Sequence, residues 1–459
     1  MSLAIPVQSA TRMRVRYLIL LVLFAVTVLN YADRAIISIA GVPIAQEFGI
    51  TPVQMGYILS AFSWSYVAAQ LPGGWLLDRY GTKWIYAGGV FFWSFFTFVQ
   101  GWAGFLGAGS AVAVFFLMRM LVGIAEAPSF PGNARLVTAW FPAAERGKAS
   151  AVFNAAQYFA PVLFAPLTAW VTQSFGWRYA FFSMGLIGLA MVLLWVWLIH
   201  DPKDHPSVTS GELDEIARGG ALVQVGAAPS GATTSTARDA KPVRAGAAPA
   251  AGTWGTIKQL LGNRMLLGIY VAQHCINVMT YFFLTWFPIY LVKQRGMSVL
   301  QAGFTASLPA LCGFVGGILG GVISDALLRR TGSLNIARKL PIIAGMLLSM
   351  VIIACNYVDS HALVIGLMAA AFFGKGLGAL GWAVVSDTSP KEAAGLSGAL
   401  FNMFGNTAGI TTPIIIGYLV QSSGSFDTAL VFVGINALVA MSAYLLLVGD
   451  IRRVELRRA

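Results

Sequence analysis

Five ionisable side chains stand in stretches that are otherwise apolar. Asp33 and Arg34 lie in the run 15–41, Arg119 and Glu126 in the run 110–136, and Lys375 in the run 361–386. A charge at the centre of a membrane costs about 2.5–3.5 kcal/mol on insertion scales, so such residues face a cavity and serve a function there. Two kinds of chemistry follow. A carboxyl in an apolar cavity can hold and release a proton near neutral pH. An arginine or lysine there can hold a carboxylate, the arginine with two parallel hydrogen bonds.

Depth follows from the helical rise. Asp33 lies ~24 Å along the first span, and Arg119 ~12 Å into the fourth, which runs the other way. The two reach similar depth, and an Asp33–Arg119 ion pair is expected. Glu126 follows Arg119 by seven residues on the same face, ~10 Å deeper. It has no evident fixed partner, which makes it the first candidate proton carrier, with Asp33 the second. Arg34 points about 100° away from Asp33 around the helix and is expected to be free to bind a carboxylate. Lys375 sits ~21 Å into the tenth span. It lies within Phe372-Phe373-Gly374-Lys375-Gly376-Leu377-Gly378, whose glycines are expected to open space around it.

Two cations from opposite halves suit a ligand with two separated carboxylates. The plainer alternatives are charges that only pin helices together and a lysine that snorkels to the interface. Tyr31, Tyr66, Gln157, Gln273, Trp382 and Asn402 fall at similar depth and complete a pocket for a polyhydroxylated ligand. His274 faces elsewhere and is read as helix packing.

The elements that must position these groups are membrane spans. Charged residues make up only 10% of the chain and apolar residues 57%, too little charge for the surface of a soluble domain of this length. About twenty apolar residues cross a membrane core. Twelve spans are expected at 15–41, 52–77, 84–106, 110–136, 147–173, 179–199, 264–292, 299–328, 339–357, 361–386, 393–421 and 427–448. The fold class is thus an all-α membrane protein.

The net charge of +12 reflects topology rather than nucleic-acid binding. With both termini cytoplasmic, Arg34, Arg119 and Lys375 lie within spans and Arg178, Lys293 and Arg295 outside. The remaining Lys and Arg, about 24 of 30, fall on the cytoplasmic side, as the positive-inside rule requires. Three cysteines, Cys275, Cys312 and Cys355, sit in spans with no disulfide or metal-ligand spacing. No small-residue cleavage site follows the first span, which is expected to be retained.

Six spans precede a polar segment and six follow it. The expected organisation is an N-terminal bundle over 1–199, a cytoplasmic linker over 200–263 and a C-terminal bundle over 264–459. The linker opens with a short amphipathic helix from Ser210 to Val223, capped by Ser210. An Ala/Pro/Gly/Ser/Thr-rich tether from about 226 to 252 follows.

The halves echo each other. Gly74, Asp78, Arg79, Gly81 and Lys83 form a G-x-x-x-D-R-x-G-x-K loop after the second span. Gly321, Asp325, Arg329, Arg330 and Gly332 recur after the eighth. On these motifs the chain resembles the major facilitator superfamily over essentially its whole length. The resemblance implies two pseudo-symmetric six-helix bundles, a site between them near mid-membrane, and alternating access.

Asn30-Tyr31-Ala32-Asp33-Arg34, Gly123-Ile-Ala-Glu126-Ala-Pro128-Ser-Phe130-Pro131, Leu284-Thr-Trp286-Phe287-Pro288, the run from Phe372 to Asp387 and Phe401-Asn402-Met-Phe-Gly405-Asn406 narrow it further. They resemble the anion:cation symporter family, in particular its bacterial glucarate/galactarate (aldarate) proton symporters. By resemblance to the related galactonate importers, the proton-coupling acids are Asp33 and Glu126, with Arg119 as the arginine partner. Substrate-binding roles fall on Tyr31, Arg34, Tyr66, Gln157 and Asn402. The tenth span departs from them: Lys375 stands where they have a neutral amide, and Ala379 and Gly381 where they have hydroxyls.

The expectation is proton-coupled import of a sugar diacid, D-glucarate or galactarate, across a bacterial inner membrane by a monomer. The proton gradient is the energy source, and no cofactor or metal is expected. A monocarboxylate sugar acid such as galactonate or a hexuronate is the alternative substrate. A non-transporting sensor is the alternative from another class. No nucleophile–base pair points to an enzyme.

Overall fold

The computed structural model describes residues 14–103, 108–221 and 252–456. Its helices are α1 (Val15–Phe48), α2 (Pro52–Tyr80), α3 (Thr82–Gln100), α4 (Ala108–Glu126), α5 (Ser129–Trp140), α6 (Arg146–Phe175), α7 (Trp177–Leu198), α8 (Ser210–Arg218) and α9 (Gly252–Gly262). Then follow α10 (Arg264–Tyr281), α11 (Phe287–Lys293), α12 (Val299–Thr331), α13 (Leu334–Ser349), α14 (His361–Leu377), α15 (Gly381–Thr388), α16 (Ala394–Ser423) and α17 (Asp427–Ser442). No strand occurs among the described residues.

Among the described residues, nine helical stretches are long and apolar enough to cross a membrane on composition alone. The other three long helices are α2, α3 and α6. α2 buries Ser60, Ser63 and Ser65, and α3 buries Ser94, Thr97 and Gln100. Together they make the twelve expected spans. The first span is longer than expected, since α1 continues past residue 41 to a left-handed Gly49 cap.

Two spans are broken, where uninterrupted helices were expected. The fourth divides into α4 and α5 at Ala127-Pro128, where the proline lacks the N–H that would bond back along the helix. The tenth divides into α14 and α15 at Gly378-Ala379-Leu380. The seventh loosens into a π-helical turn at Phe282–Trp286 between α10 and α11. These three irregularities lie near Glu126, Lys375 and Tyr281; the ninth and twelfth spans also end in irregular turns, 3-10 at Met350–Tyr357 and π-helical at Ala443–Leu447.

The linker differs from expectation in two ways. α8 is capped by Thr209, whose hydroxyl accepts from the Glu212 amide, and it ends at Arg218. Ser210 is therefore the first helical residue and not the cap. Val223 and most of the tether lie outside the described residues, and α9 begins where the tether was expected to end.

α8 is pinned beneath α1. Glu212 accepts from the backbone N–H groups of Val15 (3.2 Å) and Arg16 (3.1 Å), capping a helix whose own N-cap residue, Arg14, cannot. Glu215 pairs with Arg14 at 2.7 Å and Arg16 at 3.0 Å. These contacts define a terminal face of the molecule, at which α1 starts.

Along the opposite face the two bundles close on each other. α2 runs beside α16, and α6 beside α12. A Cβ on Gly56 would come within 2.5 Å of the Pro413 carbonyl, and one on Gly417 within 2.6 Å of the Pro52 carbonyl. Only glycine permits that approach.

The same seam carries a reciprocal pair of hydrogen bonds. α2 and α12 both begin with a capping box, Thr51/Gln54 and Ser298/Gln301. In each, the second helical N–H is bound by a glutamine from the other half. Val53 donates to Gln421 Oε1 (3.2 Å) and Leu300 to Gln173 Oε1 (2.9 Å). Toward the terminal face Asn402 donates to Gln70 Oε1 across the bundles at 3.4 Å. The molecule is sealed on the face opposite its termini.

Candidate functional site

A charge cluster forms where α1, α2, α3 and α4 meet. Asp33 and Arg34 are adjacent on α1, so they leave it toward different neighbours. Asp33 turns to α3, where Thr97 Oγ1 donates to its Oδ2 at 2.7 Å. Arg34 turns to α2 and α4. Its Nε donates to Glu126 Oε2 at 2.9 Å, and both side chains are buried. Its guanidinium is ringed by Phe62 (4.4 Å), Tyr66 (4.8 Å) and Tyr31 (5.0 Å). Arg34 Nη2 and Glu126 Oε1 remain without a hydrogen-bond partner.

Two sequence expectations are corrected here. Glu126 has a fixed partner, Arg34, which is therefore not a free guanidinium. Arg119 does not pair directly with Asp33. Its Nη2 points to the Arg34 backbone carbonyl at 3.5 Å and its guanidinium lies over Phe62, while Thr97 takes the place on Asp33. Depth arithmetic put Arg119 near Asp33, and its guanidinium does reach the Arg34 carbonyl next to it. The rotation of one helix against another, which decides pairing, is not in a single sequence.

The cluster is held by close helix packing. A Cβ on Gly123 of α4 would collide with Ser65 Oγ and the Phe62 carbonyl of α2. Ser65 Oγ in turn donates to the Met120 carbonyl at 2.6 Å. Pro128 packs against Gly73, so the break after Glu126 is wedged into α2.

Between the bundles lies a cavity of about 70 Å³. Lys375, Phe372, Phe283 and Thr280 line it from the second half, and Tyr31, Gln157 and Tyr158 from the first. Lys375 is 5% exposed and forms no ion pair with an acidic side chain among the described residues. Its Nζ lies 5.2 Å from the ring centre of Phe372 and 5.5 Å from that of Tyr158, across the interface. Contrary to the sequence expectation, the flanking glycines do not open space around Lys375. A Cβ on Gly374 would strike the Gly345 carbonyl, and one on Gly376 the Gly313 carbonyl. They let α13 and α12 grip α14.

The remaining candidates are more dispersed. Arg34 does not line the Lys375 cavity; Tyr31, which does, stands over its guanidinium. Tyr66 stacks on Phe62 beside Arg34. Asn402 is occupied by Gln70 and Asn406. Gln273 hydrogen-bonds Asn277 at 3.4 Å, in the space that Gly381 leaves by lacking a Cβ. Trp382, expected in the pocket, is 58% exposed with its ring against Phe401. It sits at the start of α15, just past the break, which turns it out. His274 bonds Thr407 at 2.9 Å, tying α10 to α16.

Sequence reasoning passed over Thr97, Tyr158 and Tyr281. Tyr281 precedes the π-helical turn and donates to Asn406 Oδ1 at 3.1 Å, with Gly409 leaving room for its ring. The irregular turn that places it leaves no signature in hydropathy.

The loop motifs end on ion pairs. Asp78 pairs with Arg135 at 2.5 Å, and Gly81 turns the chain at φ +84°. Arg79 lies over Trp75 and Tyr80, Lys83 over Trp84, and Gly74 has open space around it. In the second half Arg338 pairs with Asp387 at 2.8 Å and stands 3.8 Å from Asp325.

Two bundles, broken spans at their interface and buried charge beside an interfacial cavity define a membrane transport protein. A sequence model described as Major Facilitator Superfamily matches residues 23–337. The chain belongs to that superfamily. It is 56% identical over 446 residues to the probable galactarate/D-glucarate transporter GudP of Escherichia coli (strain K12), covering 97% of this chain and 96% of the relative. It is 58% identical over 444 residues to the probable galactarate/D-glucarate transporter GudP of Bacillus subtilis (strain 168), covering 97% and 94%. Among solved structures, a bacterial homologue of the human lysosomal transporter Spinster, in an inward-facing and occupied conformation, superposes with a TM-score of 0.72. That match is 16% identical and covers 95% of this chain and 97% of the other.

Proposed function

We propose that this protein imports a C6 sugar diacid, D-glucarate or galactarate, together with protons across a bacterial inner membrane. The observation that carries the reading is Lys375. It is a buried cation on the wall of the interfacial cavity with no acidic partner among the described residues. Such a charge needs a counter-ion, and a carboxylate of the substrate is the natural one. The names of the two relatives support the choice of diacid.

The second carboxylate goes to Arg34, which lies behind Tyr31 on the cavity wall and is reached when that ring moves aside. In the sealed state Arg34 is engaged by Glu126. Protonating Glu126 removes that competitor and frees the guanidinium. Loss of the proton on the other side returns Arg34 to Glu126 and weakens substrate binding. Coupling is then a difference in affinity between two states. Asp33 is the second proton site. The terminal face lies in the cytoplasm, which the distribution of Lys and Arg supports. One chain carries both bundles, so the monomer suffices.

Uptake of labelled glucarate into proteoliposomes, with and without an inward acid gradient, tests the reading. Accumulation should require the gradient. Uptake indifferent to it would sink the symport mechanism.

A further inference from the structure

Asp33 does not line the interfacial cavity; it faces the interior of the first bundle. α1 carries Thr27, Asn30 and Asp33 at intervals of three, so they follow one another up one side of the helix. Both ends of the row are tied to neighbouring helices. Thr97 of α3 donates to Asp33 Oδ2 at 2.7 Å. Asn133 of α5 donates from Nδ2 to Thr27 Oγ1 at 3.0 Å, and Tyr86 of α3 donates to Asn133 Oδ1 at 2.9 Å. Tyr86 is four residues into α3, ~6 Å from its start at the terminal face.

The middle of the row is not tied. Asn30 is 1% exposed, and neither its Nδ2 nor its Oδ1 meets a protein partner. One helical turn beyond Thr97, Gln100 is equally buried and its Oε1 is also unpaired. A buried amide without hydrogen bonds is strongly unfavourable. In polar interiors ordered water supplies the missing partners.

We propose that Asn30 holds water in a proton passage inside the first bundle, leading from Asp33 toward Tyr86 and the terminal face, separate from the substrate cavity. The proton on the Asp33 carboxyl passes to the adjacent water, which releases one of its own protons onward. The carboxyl is left as a carboxylate, the water ends with the two hydrogens it started with, and the net movement is one proton. Asn30 orients the water and is a positioning residue; the amide itself does not change charge.

The passage rests on the proton-coupled reading above, and one experiment separates the two. Wild type, Asn30→Leu, Asn30→Ser and Thr27→Val are placed in proteoliposomes with a pH-sensitive dye inside. Glucarate-driven proton entry and glucarate–glucarate exchange are both recorded.

Asn30→Leu should keep exchange within about twofold and slow proton entry ~10-fold or more, because proton transfer loses its positioned carrier. Asn30→Ser, small enough to admit water, should restore part of the rate. If Asn30→Leu does not fold, Thr27→Val should show the same split. Equal losses of exchange and proton entry would mean a structural role and overturn the passage. A wild type that moves protons, with Asn30→Leu matching it, would sink the passage alone. A wild type that moves none would sink both.

Discussion

Arg34 and Glu126 are a buried pair with one unpaired atom on each side, Nη2 and Oε1. A pair satisfied that incompletely is poised for exchange of partners rather than for stability. Glu126→Gln should therefore keep substrate exchange while abolishing gradient-driven accumulation in proteoliposomes. Normal accumulation by this variant would remove Glu126 from the coupling mechanism. Lys375→Asn makes a different demand. It should weaken glucarate binding ~10-fold or more, the scale of one charge-assisted pair, and galactonate binding far less. Isothermal titration with both ligands checks it, and equal losses would leave Lys375 a packing residue.

At the scale of helices, glycine contacts and caps set the geometry. α14 lies between α12 and α13 with backbone against backbone at Gly374 and Gly376. Gly376→Val overpacks that contact and should destabilise the protein by about 1–3 kcal/mol, seen as a lower midpoint in detergent thermal unfolding. Glu212→Ala removes the cap of α1 and should cost about 1 kcal/mol by the same measurement.

Much at this scale was legible in sequence. Apolar length pointed to twelve spans, and the echo of Gly74, Asp78, Arg79 and Gly81 in Gly321, Asp325, Arg329 and Gly332 to two halves. The breaks at Pro128 and at Gly378 were harder to see, because hydropathy averages over them. The pairing of Arg34 with Glu126 was not legible. Adjacent residues share a depth, so only the rotation of α1 decides which acid meets which base.

For the whole molecule, the seal on the face opposite the termini predicts a single open entrance. Tyr57 and Tyr418 face each other across it, their hydroxyls 3.4 Å apart. Cysteines at these two positions, joined by a short bifunctional reagent, should abolish net uptake. Ligand binding from the terminal face should survive. Uptake that persists after complete cross-linking would show that the seam need not open.

The two borrowed glutamines at that seam have a further consequence. Gln421 completes the start of α2 and Gln173 the start of α12, so each half finishes a helix belonging to the other. Separating the halves uncovers both amide groups together, at positions water can reach. The solvent replaces what the glutamines gave, so either arrangement of the seam leaves those amides hydrogen-bonded. At these two amides, opening the seam therefore costs little in hydrogen bonding; what must be given up is the packing of Gly56 and Gly417 against the other half.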